Sequence, residues 1–587
     1  MSPVGADGRL RPSERGWGPA SRKKCLRAHL TPAEAIAASA MSLPAAAIIA
    51  AHLVYRSGRT VHPFLILPLA IIVAVAVFGR LWRESDVSSS TKGSARNDVP
   101  AFAAIVCAML VWLLWLAWPT LLWLGGGPDI THHLVLIDYI DRHPQLSRDV
   151  VSDPYLGDMV YYTPGSHLLV ALAGAWARTD GLHALYPVVA LSVALKAGVI
   201  CLIALRLLPD DVPRTPIAVG AVLLLFQPRA YFLGSFTEHS FVAQVVAELF
   251  AVVMLWAVVV WEDDQWIGAM ALFALAGMAA FLVWPIWIGP PLVALAVVML
   301  WPKGLALRHA QDKPVEGRAL LEHFAVGVAP IAFVAAVHIV GRLQWLGYAA
   351  TSGYVLRPSV AAIGWAFLLL SAAGLVLIAT RTPDRAIVAF LAAIAVQAFA
   401  LFVVAKRRGA DTPYLALKMM YLAIYPLAVC GAVAIGALYR QWRPASAVAR
   451  SRRWSLWSAV AILSIFAATH PPRVAPVMTR PTLEAGIWAR EHVPSACVDY
   501  LVSNGYTAYW LHLAVLRNPR PTARMEDPDT FEPRKALIRW IYPSGLPYAI
   551  ADDFDQLPRD IRTSVDVVAR FGRAAVVRRR GTASCGN

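Results

Sequence analysis

What most constrains this chain is a series of apolar runs, each about as long as a bilayer is thick, separated by short segments that carry most of the charge. Four are plain on inspection: Ala35–Tyr55, Pro63–Trp82, Ala101–Leu124 and Leu182–Leu208. A helix needs about 20 apolar residues to cross the hydrocarbon core. In that core every backbone N–H and C=O must be bonded internally, so such runs fold as helices. Charged residues are 15% of the 587, against about 25% in a soluble domain. The chain is therefore read as an α-helical polytopic membrane protein, and a soluble enzyme is excluded.

The net charge of +16 would point to nucleic acid only if the basic residues formed one soluble patch. They lie instead in short segments beside the apolar runs, where they set topology, so no nucleic acid is expected as a partner. Arg22, Lys23, Lys24 and Arg27 precede the first run and place residues 1–30, a basic tail, in the cytoplasm. No apolar segment with a small-residue cleavage site follows closely, so no cleaved signal peptide is expected. The third run then delivers an external loop, 125–163, with six aspartates between Asp129 and Asp158. The next apolar run, Leu168–Ala177, is too short to cross and reads as a juxtamembrane or re-entrant helix. Ten further spans follow, near 182–208, 216–233, 240–261, 266–284, 286–301, 323–343, 359–379, 386–405, 415–438 and 454–469. About 13 crossings in all put the basic segments 302–322 and 439–453 inside and the C-terminus outside.

After residue 469 Pro and charge increase and no membrane-length run occurs. Residues 31–469 thus read as the membrane domain and 470–587 as a small extracytoplasmic α/β or α+β domain. "LPRDIRTSVDVVARFGRAAVVRRR" reads as helix then strand. Cys107, Cys201 and Cys430 lie within apolar runs, whereas Cys497 and Cys585 share the C-terminal region and have an external location in which to pair.

Four polar clusters interrupt this pattern. In "GPDITHHLVLIDYIDRHPQL" a helix beginning at Asp129 brings Asp129, His132 and His133 onto one face, at i, i+3 and i+4. A carboxylate there has the chemistry of a general base for an acceptor hydroxyl; the plainer reading is a first-turn acid stabilising the helix. With Asp129 the two histidines also offer ligands for a metal. "MVYYTPGSH" supplies Tyr161, Tyr162 and His167 to bind a head group or sugar, or simply to sit in an aromatic belt. "GSFTEHSF" places Glu238 and His239 in a short external turn, as a metal or donor-phosphate site or as a cap. Glu248 follows inside an apolar run, where a carboxylate is costly and marks function by default. Finally, "KRRGADTPYLALK" is external yet holds Lys406, Arg407, Arg408 and Lys418, against the positive-inside rule. Lipid phosphate is the natural anionic partner for such a cluster, and Lys418 snorkelling to the interface is the alternative.

Together, an aspartate past an early outgoing helix, a Tyr-x-Pro-Gly-x-His segment, an acidic second loop and a late Lys-containing span resemble the GT-C superfamily of integral membrane glycosyltransferases. "PDITHHLVLIDYI" and "YYTPGSHLLVALAG" are similar to arabinofuranosyltransferase-like enzymes that use polyprenyl-phosphate sugars. The likeness is strongest over residues 125–250 and weakens afterwards. It implies a GT-C-like fold and transfer of a sugar from a polyprenyl-phosphate donor to a glycan, lipid or protein acceptor, outside the plasma membrane of a bacterium. Asp129 matches the first-loop aspartate that acts as base or positions the acceptor. Glu238, with His239 beside it, falls where many members place a second acidic group, sometimes a metal ligand, and is taken here as a catalytic residue; Lys418 with its neighbours fits the lipid-phosphate site. His132-His133 replaces an Asp-x-Asp pattern, which leaves a divalent cation (Mg or Mn) as an open cofactor. The rival functions are a flippase or transporter of lipid-linked sugars, for which no internal repeat is visible, and a non-catalytic scaffold.

Overall fold

The computed structural model describes residues 30–89, 98–124, 128–143, 162–300, 317–339, 355–381, 384–441, 478–518, 530–541 and 546–581, with isolated positions between them. The membrane part is built from α1 (Pro32–Arg56), α2 (Pro63–Ser89), α3 (Val99–Leu116), α4 (Pro128–Arg142), α5 (Gly165–Ala177) and α6 (Gly181–Leu207). These are followed by α7 (Arg214–Leu224), α8 (Arg229–Phe232), α9 (Gly234–Thr237), α10 (Val242–Asp264), α11 (Ile267–Val283) and α12 (Gly289–Leu300). The last are α13 (Gly317–Ile339), α14 (Val360–Ile363), α15 (Trp365–Arg381), α16 (Arg385–Arg407) and α17 (Tyr414–Gln441). Among the described residues eight helices are long and apolar enough to cross a bilayer: α1, α2, α3, α6, α10, α13, α16 and α17.

Several expected spans differ: 359–379 is broken at Gly364, and 286–301 is a 3-10 turn followed by the short α12. The run 216–233 is not one helix: α7 stops at Leu224, and a turn at Pro228 leads into two short helices. Pro lacks the N–H that would continue the ladder. The third span ends at Leu116 rather than Leu124. The final expected span, 454–469, lies largely outside the described residues, as do the segments 302–316 and 442–453.

Ion pairs show which helix ends share a side. Glu34 at the start of α1, Arg206 at the end of α6, and Asp263 and Asp264 at the end of α10 form one cluster. Glu262 beside it holds Arg385 at the start of α16. The starts of α6, α10 and α17 and the end of α11 therefore lie on the opposite side, where the polar clusters of the sequence meet. Both ends of α5 rest on that opposite side. Gly165 packs so closely on Leu282 at the end of α11 that a Cβ would lie 2.5 Å from its carbonyl oxygen. In the last turn, Trp176 Nε1 donates to the Pro63 carbonyl at the start of α2, at 2.9 Å.

The C-terminal domain is a mixed four-stranded sheet, order β1-β2-β4-β3, from β1 (Val498–Leu501), β2 (Tyr548–Ala551), β3 (Val565–Phe571) and β4 (Ala574–Arg579). β1 and β2 pair in parallel, and the other pairs are antiparallel. The stretch expected as helix then strand is a helix, Arg559–Ser564, followed by a two-stranded hairpin. Gly572 turns it at a φ of +56°, which glycine adopts without a Cβ clash. Cys497 is disulfide-bonded; Cys585, its expected partner, lies outside the described residues.

Candidate functional site

The site begins with α4. Pro128 opens the helix and Asp129 occupies its first turn, where a negative charge is favoured by the N-terminal end of the helix dipole. α4 does not float as an amphipathic helix at the lipid interface. From Ile130 to Ile140 it is almost wholly buried, held between the bundle and the C-terminal domain. Tyr509 Oη of that domain hydrogen-bonds His132 Nε2 at 3.0 Å, and Arg517 Nε meets Asp138 at 2.7 Å. Asp129 at its start is exposed, as are Asp141 and Arg142 at its end.

His133, next on the buried face, lies 2.8 Å from His167 of α5, Nδ1 to Nε2. Tyr162 stands edge-on to both rings, with centroids 5.4 Å and 5.5 Å away, and 5.7 Å from Trp284 beyond them. Thr163 Oγ1 donates to the Val283 carbonyl at 2.6 Å and fixes the start of this segment. Burial, aided by His167, His132 and Lys418, lowers the His133 pKa well below its ordinary value and keeps the ring neutral. Tyr161 lies outside the described residues.

The loop between α9 and α10 brings Glu238 and His239. Ser240, at a φ of 56°, holds a backbone conformation that non-glycine residues rarely adopt. That turn stacks the His239 ring on Phe241, with centroids 5.2 Å apart. Glu238 is exposed and folds back toward Gly234, one turn earlier. Burial lowers the His239 pKa; Glu238 and Asp129 act to raise it and Lys418 acts to lower it. The one imidazole therefore feels Asp129 from α4, Glu238 from its own loop and Lys418 from α17. Three segments that are far apart in sequence converge here.

Lys418 is the most unusual group. It is 95% buried, 5% being exposed, one turn into α17. Its Nζ lies over three aromatic faces: Phe241 at 3.7 Å, Tyr414 at 4.4 Å and Trp284 at 5.5 Å. Among the described residues it has no carboxylate or carbonyl partner. Buried ammonium groups are ordinarily paired, because the desolvation cost is otherwise large. Cation–π contacts recover part of that cost. The hydroxyls of Ser240 and Tyr421, next to the cage in sequence and one turn along α17, are also buried without a hydrogen-bond partner. The basic cluster of the sequence is thus divided. Lys418 points inward, whereas Lys406 donates to the carbonyls of Ala410 and Asp411, and Arg407 and Arg408 are exposed at the end of α16.

Deeper in the bundle, Glu248 has a complete set of partners that the sequence did not reveal. Lys196 of α6 pairs with it at 2.5 Å, Tyr425 Oη donates to it at 2.7 Å, and Gln244 Nε2 donates at 3.0 Å. All are buried. A single lysine inside the run Leu182–Leu208 was the available signal, by the same reasoning that singled out Glu248. Tyr509 and Arg517, from the other domain, carried no signal at all.

The set Asp129, His132 and His133 does not fit a divalent cation. His132 Nε2 is engaged by Tyr509 and His133 Nδ1 by His167. Among the described residues no three His, Cys, Asp or Glu side chains converge in metal-binding geometry.

Fold and site define a helical membrane protein whose charged, aromatic-walled site lies where the bundle meets a surface domain. No protein-family model matches the chain, and no curated protein matches it either. Among solved structures it is similar to the archaeal oligosaccharyltransferase AglB of Archaeoglobus fulgidus bound to an inhibitory peptide and a dolichol-phosphate. That likeness has a TM-score of 0.41 and 13% identity, over 77% of this chain and 69% of that one. The Archaeoglobus fulgidus oligosaccharyltransferase complex with Zn and sulfate gives 0.40 and 15%, over 77% and 68%. Its apo form gives 0.40 and 14%, over 77% and 70%.

Proposed function

We propose that this protein is a membrane glycosyltransferase that moves a sugar from a polyprenyl-phosphate donor to an extracytoplasmic glycan, lipid or protein acceptor. The observation that carries this reading is Lys418, a buried ammonium on an aromatic cage with no carboxylate partner among the described residues. A lipid-borne phosphate supplies that anion, and α17 leads from the lipid to the site. In the reaction the acceptor oxygen attacks the anomeric carbon, the bond from that carbon to the phosphate oxygen breaks, and the electron pair leaves with the phosphate. Lys418 stabilises the charge that develops there, and Asp129, acting as base, takes the acceptor proton. Glu238 is a second acid at the mouth, with His239 between the charges. His132, His133, Tyr162 and His167 shape the acceptor side, and Tyr161 falls in the same segment. Lys406, Arg407 and Arg408, exposed at the end of α16, attract anionic head groups.

On this reading residues 31–469 form the catalytic domain of a bacterial plasma-membrane protein, and 470–587 face the extracytoplasmic side. The disulfide at Cys497 suits an oxidising compartment. The test is to incubate the purified protein with a panel of polyprenyl-phosphate sugars and acceptors and to compare Asp129→Asn. Transfer by the parent that falls at least 10²-fold in the folded variant supports the reading, given that a general base contributes about 10²–10⁴. An Asp129→Asn protein as active as the parent removes Asp129 from the chemistry, and a flippase that moves the lipid without transferring the sugar replaces the proposal.

A further inference from the structure

A buried serine or threonine hydroxyl in a helical segment ordinarily returns to a backbone carbonyl three or four residues back. In α9 both do so: Ser235 Oγ donates to the Phe232 carbonyl and Thr237 Oγ1 to the Leu233 carbonyl, each at 3.0 Å. Ser240, in the loop that follows, does not. It is fully buried, and its Oγ has no hydrogen-bond partner among the described residues. Its carbonyl is satisfied, accepting from Val242 N at 2.8 Å. Yet its φ of 56° is left-handed, a conformation that favours glycine. Ser240 therefore carries two costs, a strained backbone and an unpaired hydroxyl. Neither serves the fold, because glycine at this position removes both. Its neighbours are those of the charged site. Phe241, next in the chain, has Lys418 Nζ 3.7 Å from its ring centroid. Tyr421, one turn along α17 from Lys418, meets the same ring edge-on at 5.7 Å. Its hydroxyl is likewise buried with no partner among the described residues.

We propose that Ser240 Oγ donates a hydrogen bond to an oxygen of the phosphate that Lys418 holds, and so is a binding residue for that phosphate. The proposal rests on the glycosyltransferase reading above and deepens it. An ammonium acts as a point charge and leaves the phosphate free to turn. A hydroxyl on a fixed backbone adds direction, and a bond to a charged acceptor is stronger than one between neutral groups. Transfer needs that direction, because the acceptor has to meet the anomeric carbon opposite the departing oxygen. The strain then has a use. Left-handed residues other than glycine gather at ligand clamps, and a serine here keeps a hydroxyl that glycine lacks. The same chemistry suits a lipid-linked phosphate or a free one, and the experiment separates them.

The full-length protein in lipid nanodiscs is titrated with farnesyl phosphate and, separately, with inorganic phosphate, with empty nanodiscs as the blank. Unfolding temperature is measured with neither present. Ser240→Gly removes the hydroxyl and the strain together. It is expected to hold or raise the unfolding temperature and to bind farnesyl phosphate about 10- to 100-fold more weakly, the range of a hydrogen bond to a charged group. Ser240→Ala removes the hydroxyl and keeps the strain, with the same loss of affinity. Ser240→Asn tolerates the left-handed backbone and carries an N–H donor, so it recovers part of the loss. Parental affinity in both the glycine and alanine variants overturns the proposal. A glycine variant that unfolds at a lower temperature also overturns it, because Ser240 is then a structural residue. A parent that binds neither phosphate does the same. Tighter binding of farnesyl phosphate than of inorganic phosphate assigns the site to a lipid-linked phosphate; the reverse order keeps Ser240 as a phosphate ligand and counts against a lipid donor. A parent that binds farnesyl phosphate through Ser240 but transfers no sugar from any donor fails the glycosyltransferase reading and leaves the role of Ser240 standing.

Discussion

Replacing Lys418 by Met separates the catalytic use of this lysine from any part it plays in folding. Two consequences follow from the structure, with opposite signs. Lys418 has no carboxylate partner among the described residues and sits on Phe241, Tyr414 and Trp284. Removing it strands no protein charge, and a thioether packs well on aromatic faces. Unfolding temperature in the absence of donor should therefore hold or rise, since an unpaired buried ammonium carries a desolvation cost. Catalysis should fall. Losing one partner of a buried, hydrogen-bonded charge pair costs about 2–5 kcal/mol. A value near 3 kcal/mol corresponds to roughly 10²-fold in kcat/KM, at about 1.4 kcal/mol per factor of ten. Lys418→Arg keeps the charge but brings a planar fork to a cage shaped around a compact ammonium, so its activity should lie between those of the parent and the methionine variant. The assay is transfer of labelled sugar from a polyprenyl-phosphate donor in nanodiscs, with thermal unfolding measured on the same preparations. A Lys418→Met protein that unfolds several degrees lower makes the lysine a structural residue, and one that keeps parental kcat/KM shows that no phosphate binds there.

Two other sites give contrasting expectations. Among the described residues Lys196 and Glu248 are each other's ion-pair partner, with both side chains fully buried. Lys196→Met or Glu248→Gln alone should destabilise by about 3–5 kcal/mol, whereas the double replacement Lys196→Met/Glu248→Leu should recover most of that; chemical denaturation in detergent reads the difference, and additive losses would refute the pairing. At the junction of α4 with the C-terminal domain, Asp138, Asp141, Asp180 and Arg517 line one cleft. Asp141 opens to solvent at its edge; partial burial and the carboxylates of Asp138 and Asp180 push its pKa up to about 7, against the pull of Arg517. A carboxyl whose folded pKa is raised favours the protonated fold, so docking is firmest in mild acid and weakens as pH rises through about 7. Hydrogen exchange of residues 505–518 against pH should show that loosening, and Asp141→Asn should flatten it. A profile unchanged by the substitution would assign the pH response to other groups.

The sequence by itself determined that the chain crosses a membrane many times. Apolar length and the location of basic residues act locally, and hydrocarbon tolerates little else than helix. It also located α4, with Asp129 in its first turn, since a proline, an acid and the following apolar positions are local signals. A mixed C-terminal domain was legible from the change in composition alone. Only the tertiary structure decided that Asp129, His239 and Lys418 share one site, because positions 129, 239 and 418 are joined by packing among helices that no local pattern records. The same is true of Lys196 beneath Glu248, and of Tyr509 reaching His132 from another domain. It also broke the expected span 216–233 at Pro228 and divided the basic cluster, turning Lys418 inward and leaving Arg407 and Arg408 exposed. Residue type fixes what a side chain is able to do, but burial and partners decide which of those things it does, and both are properties of the assembled fold.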